Sequence, residues 1–312
     1  MTLQKLSTGL LLASLTLPSW AAGKTIDIAG NPVPVVEGGL YDRYRSNPPL
    51  SVIGAEAPEL DLSWFKTLKK EKLDIGFESW SPNFYYKNSR ITAVFTADLA
   101  RLNELMPEKV LEAVQPLQVW PGRGLVALTA YTYEYCDNDS YNEVALSVIT
   151  TKPGATSFGP FTLIWQSMSK DFWGYVLKLP VNTELARVRG VVGYNLPKWL
   201  TSIERSESPL SVTYRIGSEI SFEGKKLKEP SREIEMVTNS FTNIDRQGRL
   251  THGYATSRQL SHATSSDAAS ATLNLGQGEL SGYIRSLKLG RMMKYEYVPE
   301  FQSALYAPTL LK

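Results

Sequence analysis

Gly190-Val191-Val192-Gly193-Tyr194-Asn195-Leu196-Pro197-Lys198-Trp199-Leu200 is the stretch on which the reading of this chain turns. Pro197 fixes its own φ and restricts Leu196, so Lys198 is presented from a stiff backbone. Leu196, Trp199 and Leu200 make its surroundings apolar, and such a setting disfavours an ammonium. A neutral amine attacks a ketone and forms an imine, which then drains electrons from a neighbouring bond. Taken alone, the same residues also describe a surface lysine in a turn.

Outward from this stretch the chain reads mostly as strands. Leu125–Tyr135 alternates and places Tyr131, Tyr133 and Tyr135 on one side. Glu143–Thr150 puts Val144, Leu146 and Val148 on one face. Ile91–Phe95, Phe161–Trp165 and Trp173–Leu179 are short and β-prone. Gly217-Ser218 marks a two-residue hairpin between Val212–Ile216 and Glu219–Phe222. A turn at Asp245–Gly248 joins Glu233–Thr242 to Leu250–Ser257, and the Ser- and Ala-rich residues 262–270 read as a mobile loop. Helical spacing occurs at Leu60–Leu73 and at Leu99–Met106, where Asp98 is the N-cap and Pro107 the stop. Strands joined by short turns imply an α+β, mainly β, system of curved antiparallel sheets with a few short helices.

Three blocks in order resemble the acetoacetate decarboxylase family: Leu105-Met106-Pro107-Glu108, Tyr141-Asn142-Glu143 before an alternating strand, and Gly190 to Lys198 without a gap. The likeness runs from about Phe84 to Leu305. It implies a cone-like or barrel-like arrangement of antiparallel sheets around a closed pocket, often assembled into oligomers. It also implies a Schiff-base lysine at Lys198 and an active-site carboxylate at Glu143, with Tyr141, Tyr194 and Trp199 beside them.

The sequence departs from the family pattern in three places. A second lysine usually adjoins the first, whereas Trp199 stands here. Val191-Val192 replace the family's Arg-Glu, which leaves Arg189 as a substitute carboxylate anchor if the segment is extended. The family's acid on the preceding strand has no counterpart in Leu125–Ala130, and Glu134 is out of register. Arg90 is a candidate for an N-terminal arginine of the family. These changes suit a bulkier oxo acid, or aldol and dehydration chemistry, and Tyr131, Tyr133, Trp165, Trp173 and Tyr194 are candidates to line a larger pocket.

Residues 1–21 read as a signal peptide: Lys5, an apolar run over Leu6–Leu17, and small residues up to a cleavage point after Ala21. The expected organisation is therefore a leader at 1–21, an irregular arm with one helix at 22–80, and the decarboxylase-like domain at 81–312. Export, periplasmic or secreted, follows. The 312 residues carry a net charge of +2, which gives no electrostatic reason to expect nucleic acid. No later stretch is long and apolar enough for a membrane span. One cysteine, Cys136, and two histidines, His252 and His262, offer no zinc-type spacing. Asn138-Asp139-Ser140 is a glycosylation sequon. The reading is a cofactor-free lyase, without metal, acting on a small carbonyl or oxo-acid substrate, with a homo-oligomer allowed. Its rivals are a non-catalytic exported binding protein on the same fold and a structural secreted protein.

Overall fold

The computed structural model describes residues 24–311, so the leader expected over 1–21 lies outside them. The chain opens with a hairpin of β1 (Thr25–Ile28) and β2 (Asn31–Pro34), then α1 (Leu40–Tyr44), α2 (Leu50–Glu56) and a second hairpin of β3 (Glu71–Asp74) and β4 (Glu78–Ser81). The body follows as β5 (Asn83–Asp98), α3 (Leu99–Leu105), α4 (Glu108–Ala113), β6 (Arg123–Cys136), β7 (Tyr141–Ile149), α5 (Pro160–Ser169), β8 (Asp171–Val181), α6 (Glu184–Tyr194) and β9 (Lys198–Leu200). Next come β10 (Ile203–Glu207), β11 (Ser211–Ile216), β12 (Ile220–Lys225), β13 (Glu235–Ile244), β14 (Leu250–Ser265), β15 (Ala271–Leu275), α7 (Glu279–Ser286) and β16 (Met292–Leu310).

Seven strands close into a barrel in the order β13-β14-β16-β5-β6-β7-β8, and β10-β11-β12-β15 form a separate four-stranded sheet. The pairing is antiparallel except at the seam. There Asp171–Gly174 of β8 run parallel to Thr238–Phe241 of β13, and Leu179–Val181 run parallel to β9. The same edge of β8 therefore pairs with β13 at one end and with β9, which begins at Lys198, at the other.

Alternation divides the barrel strands cleanly. Ile91, Ala93, Leu128, Ala130, Val144 and Leu146 face outward and pack against Val212, Tyr214, Ile216 and Phe222 of the second sheet. The opposite face carries Arg90, Thr92, Thr129, Tyr131 and Glu143, all but the half-buried Tyr131 fully buried. In a closed barrel that face is the interior. At one end Leu196 and Tyr194 pack with Ala145, Val176, Phe241 and Leu305. Toward the other end Leu163 of α5 packs on the cluster of Leu117, Val119 and Leu125, to which Val94 and Ile149 also contribute.

Several local expectations change. Leu60–Leu73 is not a helix; only Phe65–Thr67 makes a 3-10 turn. Its apolar residues Leu62 and Phe65 are still buried. The chain extends after Leu68 because Lys70 is drawn inward to the buried Asp137. Phe161–Trp165 belongs to helix α5, with Pro160 at its start, where a missing N–H costs nothing. Residues 262–265 continue β14, and Ala268–Ser270 form a 3-10 turn. Asp98 does cap α3, accepting from Arg101 N at 2.9 Å. The Asn138 sequon is buried at 7 % exposure, and its amide oxygen accepts from Ser46 Oγ at 2.9 Å.

Candidate active site

Strand register brings Lys198 and Glu143 together. Glu143 pairs across β7–β8 with Val181, and Lys198 pairs across β8–β9 with Leu179. Val181 and Leu179 lie two apart on one strand, so both partners project to the same face. Lys198 Nζ lies 2.5 Å from Glu143 Oε2, and the two side chains are 7 % and 9 % exposed.

Helix α6 supplies the floor. Thr183 starts it by accepting from Ala186 N, and Asn195 ends it in the left-handed conformation at φ 54°. Leu196-Pro197 then turn the chain into β9. The Lys198 stem crosses the helix at Gly190, where a β-carbon would fall 2.3 Å from Cδ.

Tyrosines line the same interior. The Tyr133 hydroxyl donates to Glu143 Oε1 at 3.3 Å. The Tyr141 ring centre is 5.6 Å from Lys198 Nζ, and its hydroxyl is 3.2 Å from that of Tyr85. Tyr131 stacks on Tyr133 at 5.4 Å. Burial pushes the phenols of Tyr85, Tyr133 and Tyr141 well above their usual range, so they stay neutral hydrogen-bonding groups.

A second charged group shares this face. Glu143, Tyr131 and Arg90 form one continuous row across β7, β6 and β5. The Arg90 guanidinium lies 5.3 Å from the centre of the Phe301 ring and 3.5 Å from Glu296 Oε2. Burial alone would raise the Glu296 carboxyl, but Lys294 and Arg90 outweigh it and hold it below the usual carboxylate range. Glu296 comes from β16, far along the chain, and no local motif marked it. Only the strand pairing of β16 with β5 brings it beside Arg90. Glu134, by contrast, points to the other side and pairs with Lys87 at 3.2 Å.

Three expected site residues stand elsewhere. Arg189 sits on a helix rather than an extended segment, and its side chain turns toward the arm. It donates to Tyr41 Oη and Ser79 Oγ at 3.1 Å each and to Asn83 Oδ1 at 2.8 Å. Tyr194 accepts from the same Asn83 at 2.7 Å, so it belongs to that network. Trp199 follows Lys198 on a strand and therefore faces the other way, where its ring meets Lys178 Nζ at 5.7 Å. Of the aromatic candidates, Trp165 is 71 % exposed and Trp173 stacks on His252 at 4.6 Å. Clefts of about 390 and 260 Å³ are lined by neither Lys198 nor Glu143, although Arg90 contributes to the smaller one.

No sequence-family model matches the chain, and no curated protein does. Solved structures do resemble it. Acetoacetate decarboxylase from Legionella pneumophila superposes with a TM-score of 0.54 at 12 % identity, over 74 % of this chain and 87 % of that one. The enduracididine biosynthesis enzyme MppR complexed with pyruvate gives 0.54 at 11 %, over 74 % and 91 %. A further acetoacetate decarboxylase gives 0.50 at 10 %, over 74 % and 89 %. The chain thus has the acetoacetate decarboxylase fold.

Proposed function

We propose that this protein is a lyase that forms an imine between Lys198 and the carbonyl of an oxo acid. The observation that supports it is the buried Lys198–Glu143 pair, at 2.5 Å inside the barrel. Glu143 takes the proton from the ammonium, and the freed amine adds to the substrate carbonyl. The carbinolamine then loses water, with Glu143 returning the proton to the departing oxygen. The resulting iminium accepts the electron pair released by loss of carbon dioxide, or by removal of an α-proton ahead of an aldol step. Protonation at carbon, or attack on an aldehyde, discharges that pair, and water hydrolyses the imine.

Arg90 is the carboxylate anchor in this reading, through bidentate hydrogen bonding that displaces Glu296. Two strand spacings, about 10 Å, separate the backbones of Glu143 and Arg90. A substrate that touches both ends is longer than acetoacetate. Two structural neighbours are MppR complexed with pyruvate, an oxo acid, and MppR complexed with the condensation product of pyruvate and imidazole 4-carboxaldehyde, a larger compound built from one.

Trp199 faces away where the family places a second lysine, and this favours one alternative, an oxo-acid-binding protein without turnover. Borohydride reduction in the presence of a panel of oxo acids, followed by peptide mass spectrometry, separates the two. The lyase reading expects substrate mass on Lys198. An unmodified Lys198 across a panel that includes compounds shown to bind would sink it. Export through a leader at 1–21 is part of the same proposal. Its check is cell fractionation with N-terminal sequencing; a chain found only in the cytoplasm with Met1 intact contradicts it.

A further inference from the structure

We infer that the outer face of helix α5 is the contact surface for a second copy of this chain. The helix, Pro160–Ser169, is docked by one side only. Leu163 packs against the buried cluster of Leu117, Val119 and Leu125. Gln166 is 1 % exposed and donates to Thr150 O at 2.9 Å. The opposite side carries Phe161, Ile164, Trp165 and Met168, with Phe158 just before the helix, at 52–76 % exposure. Spacings of three and four residues place the four helical ones on a single stripe.

The size and charge of this stripe select its occupant. Three aromatic side chains of roughly 150–250 Å² each, together with Ile164 and Met168, present on the order of 700 Å² of apolar surface at these exposures. That exceeds the largest patch of a typical monomer and approaches the roughly 800 Å² per partner of a standard stable interface. The helix has no charged residue. The lysines that flank it in the chain are paired, Lys152 with Asp171 at 2.5 Å and Lys170 with Glu235 at 2.7 Å. A membrane-surface helix would instead carry a cationic rim facing anionic lipid. A neutral, self-complementary apolar stripe fits its own two-fold mate, with Ile164 near the axis.

The test uses the purified chain in sedimentation velocity and a cysteine cross-link. The expected result is a dimer at micromolar concentration. It is lost in Phe161→Glu/Trp165→Glu, whose exposed positions leave the circular dichroism spectrum unchanged. Ile164→Cys should join two chains with a short bis-maleimide, whereas Leu210→Cys, 74 % exposed elsewhere, should not; the native Cys136 is buried and does not compete. A monomer at up to about 100 µM overturns the proposal. So does a dimer that survives both glutamates. A monomer that co-sediments with phosphatidylcholine or phosphatidylglycerol vesicles assigns the stripe to a lipid surface instead. A monomer that dimerises only once residues 1–23 are removed assigns it to that segment.

Discussion

The aliphatic stem of Lys198 lies against Gly190, so close that a β-carbon there would stand 2.3 Å from Cδ and 2.6 Å from Cε. The glycine is an ordinary helical residue, with no conformational demand of its own. An alanine would gain about 1 kcal/mol of helix propensity. That gain offsets only part of the cost of parting the buried Lys198–Glu143 pair, so Gly190→Ala should also unfold below the wild-type temperature. The amine has to leave its place beside Glu143. A displacement of about 1 Å typically costs on the order of 10²-fold in rate. Borohydride trapping and turnover should therefore fall together at temperatures where the variant is still folded; wild-type trapping in Gly190→Ala would contradict the contact.

Tyr133 holds the second oxygen of Glu143, the first being taken by Lys198. Tyr133→Phe removes one hydrogen bond and leaves the ring stack with Tyr131 in place. The expected loss of stability is about 1–3 kcal/mol, because a buried acceptor goes unpaired. The expected kinetic effect is on the proton-transfer steps, so kcat falls and its pH profile moves while KM changes little. Single-turnover kinetics across pH measure this. An unchanged profile would mean that Tyr133 only fills space.

Arg90 is assigned the substrate carboxylate, and Arg90→Lys tests that assignment. Lysine keeps the charge but loses the planar fork that binds a carboxylate at two points. KM for an oxo acid should rise by roughly 10-fold or more, the worth of a charge-assisted hydrogen bond. A neutral ketone of the same size should be unaffected. Equal losses for acid and ketone would show that Arg90 serves only to pair with Glu296.

Much of this architecture was legible in the chain, and the reasons differ by element. Strands β6 and β7 alternate over many residues, and Gly217-Ser218 is sufficient to mark the hairpin between β11 and β12. Asp98 and Pro107 bracket α3. The Lys198–Glu143 pairing depends on β9 lying beside β8, a three-residue parallel contact that no periodicity reveals. Arg189 was misplaced because Val191-Val192 favours extended chain, whereas the cap at Thr183 and burial against the arm impose a helix. Glu296 was invisible because its partner Arg90 is about two hundred residues away, and only sheet closure joins them.

A second buried lysine fixes the arm to the body. Lys70 pairs with the fully buried Asp137, which also accepts from Phe84 N at 2.6 Å and the Tyr86 hydroxyl at 2.7 Å. Burial pushes the Lys70 amine down and the Asp137 carboxyl up. Removing one partner of such a pair leaves an uncompensated charge and typically costs about 3–5 kcal/mol. Lys70→Met should show that loss in urea unfolding. Lys70→Met/Asp137→Asn should recover most of it, since asparagine carries no charge, its single oxygen still accepts from Phe84 N, and its amide can donate to the Tyr86 hydroxyl. A double variant no better than the single would mean that the pair contributes through Lys70 packing alone.

His252 gives the fold a pH dependence of known sign. Its ring is stacked between Trp173 at 4.6 Å and Tyr254 at 5.4 Å, and Nε2 is buried without a partner. Burial lowers its pKa, against a smaller opposing pull from Asp171. The folded state therefore disfavours the imidazolium relative to the unfolded chain. Its contribution to stability is complete above the unfolded value of about 6.5 and is lost as pH falls through the lower folded value. The melting temperature of the native chain should drop between pH 7.5 and pH 5 by more than that of His252→Phe, which keeps the stack and cannot titrate. Parallel melting curves for the two proteins over this range would place the acid sensitivity in other groups.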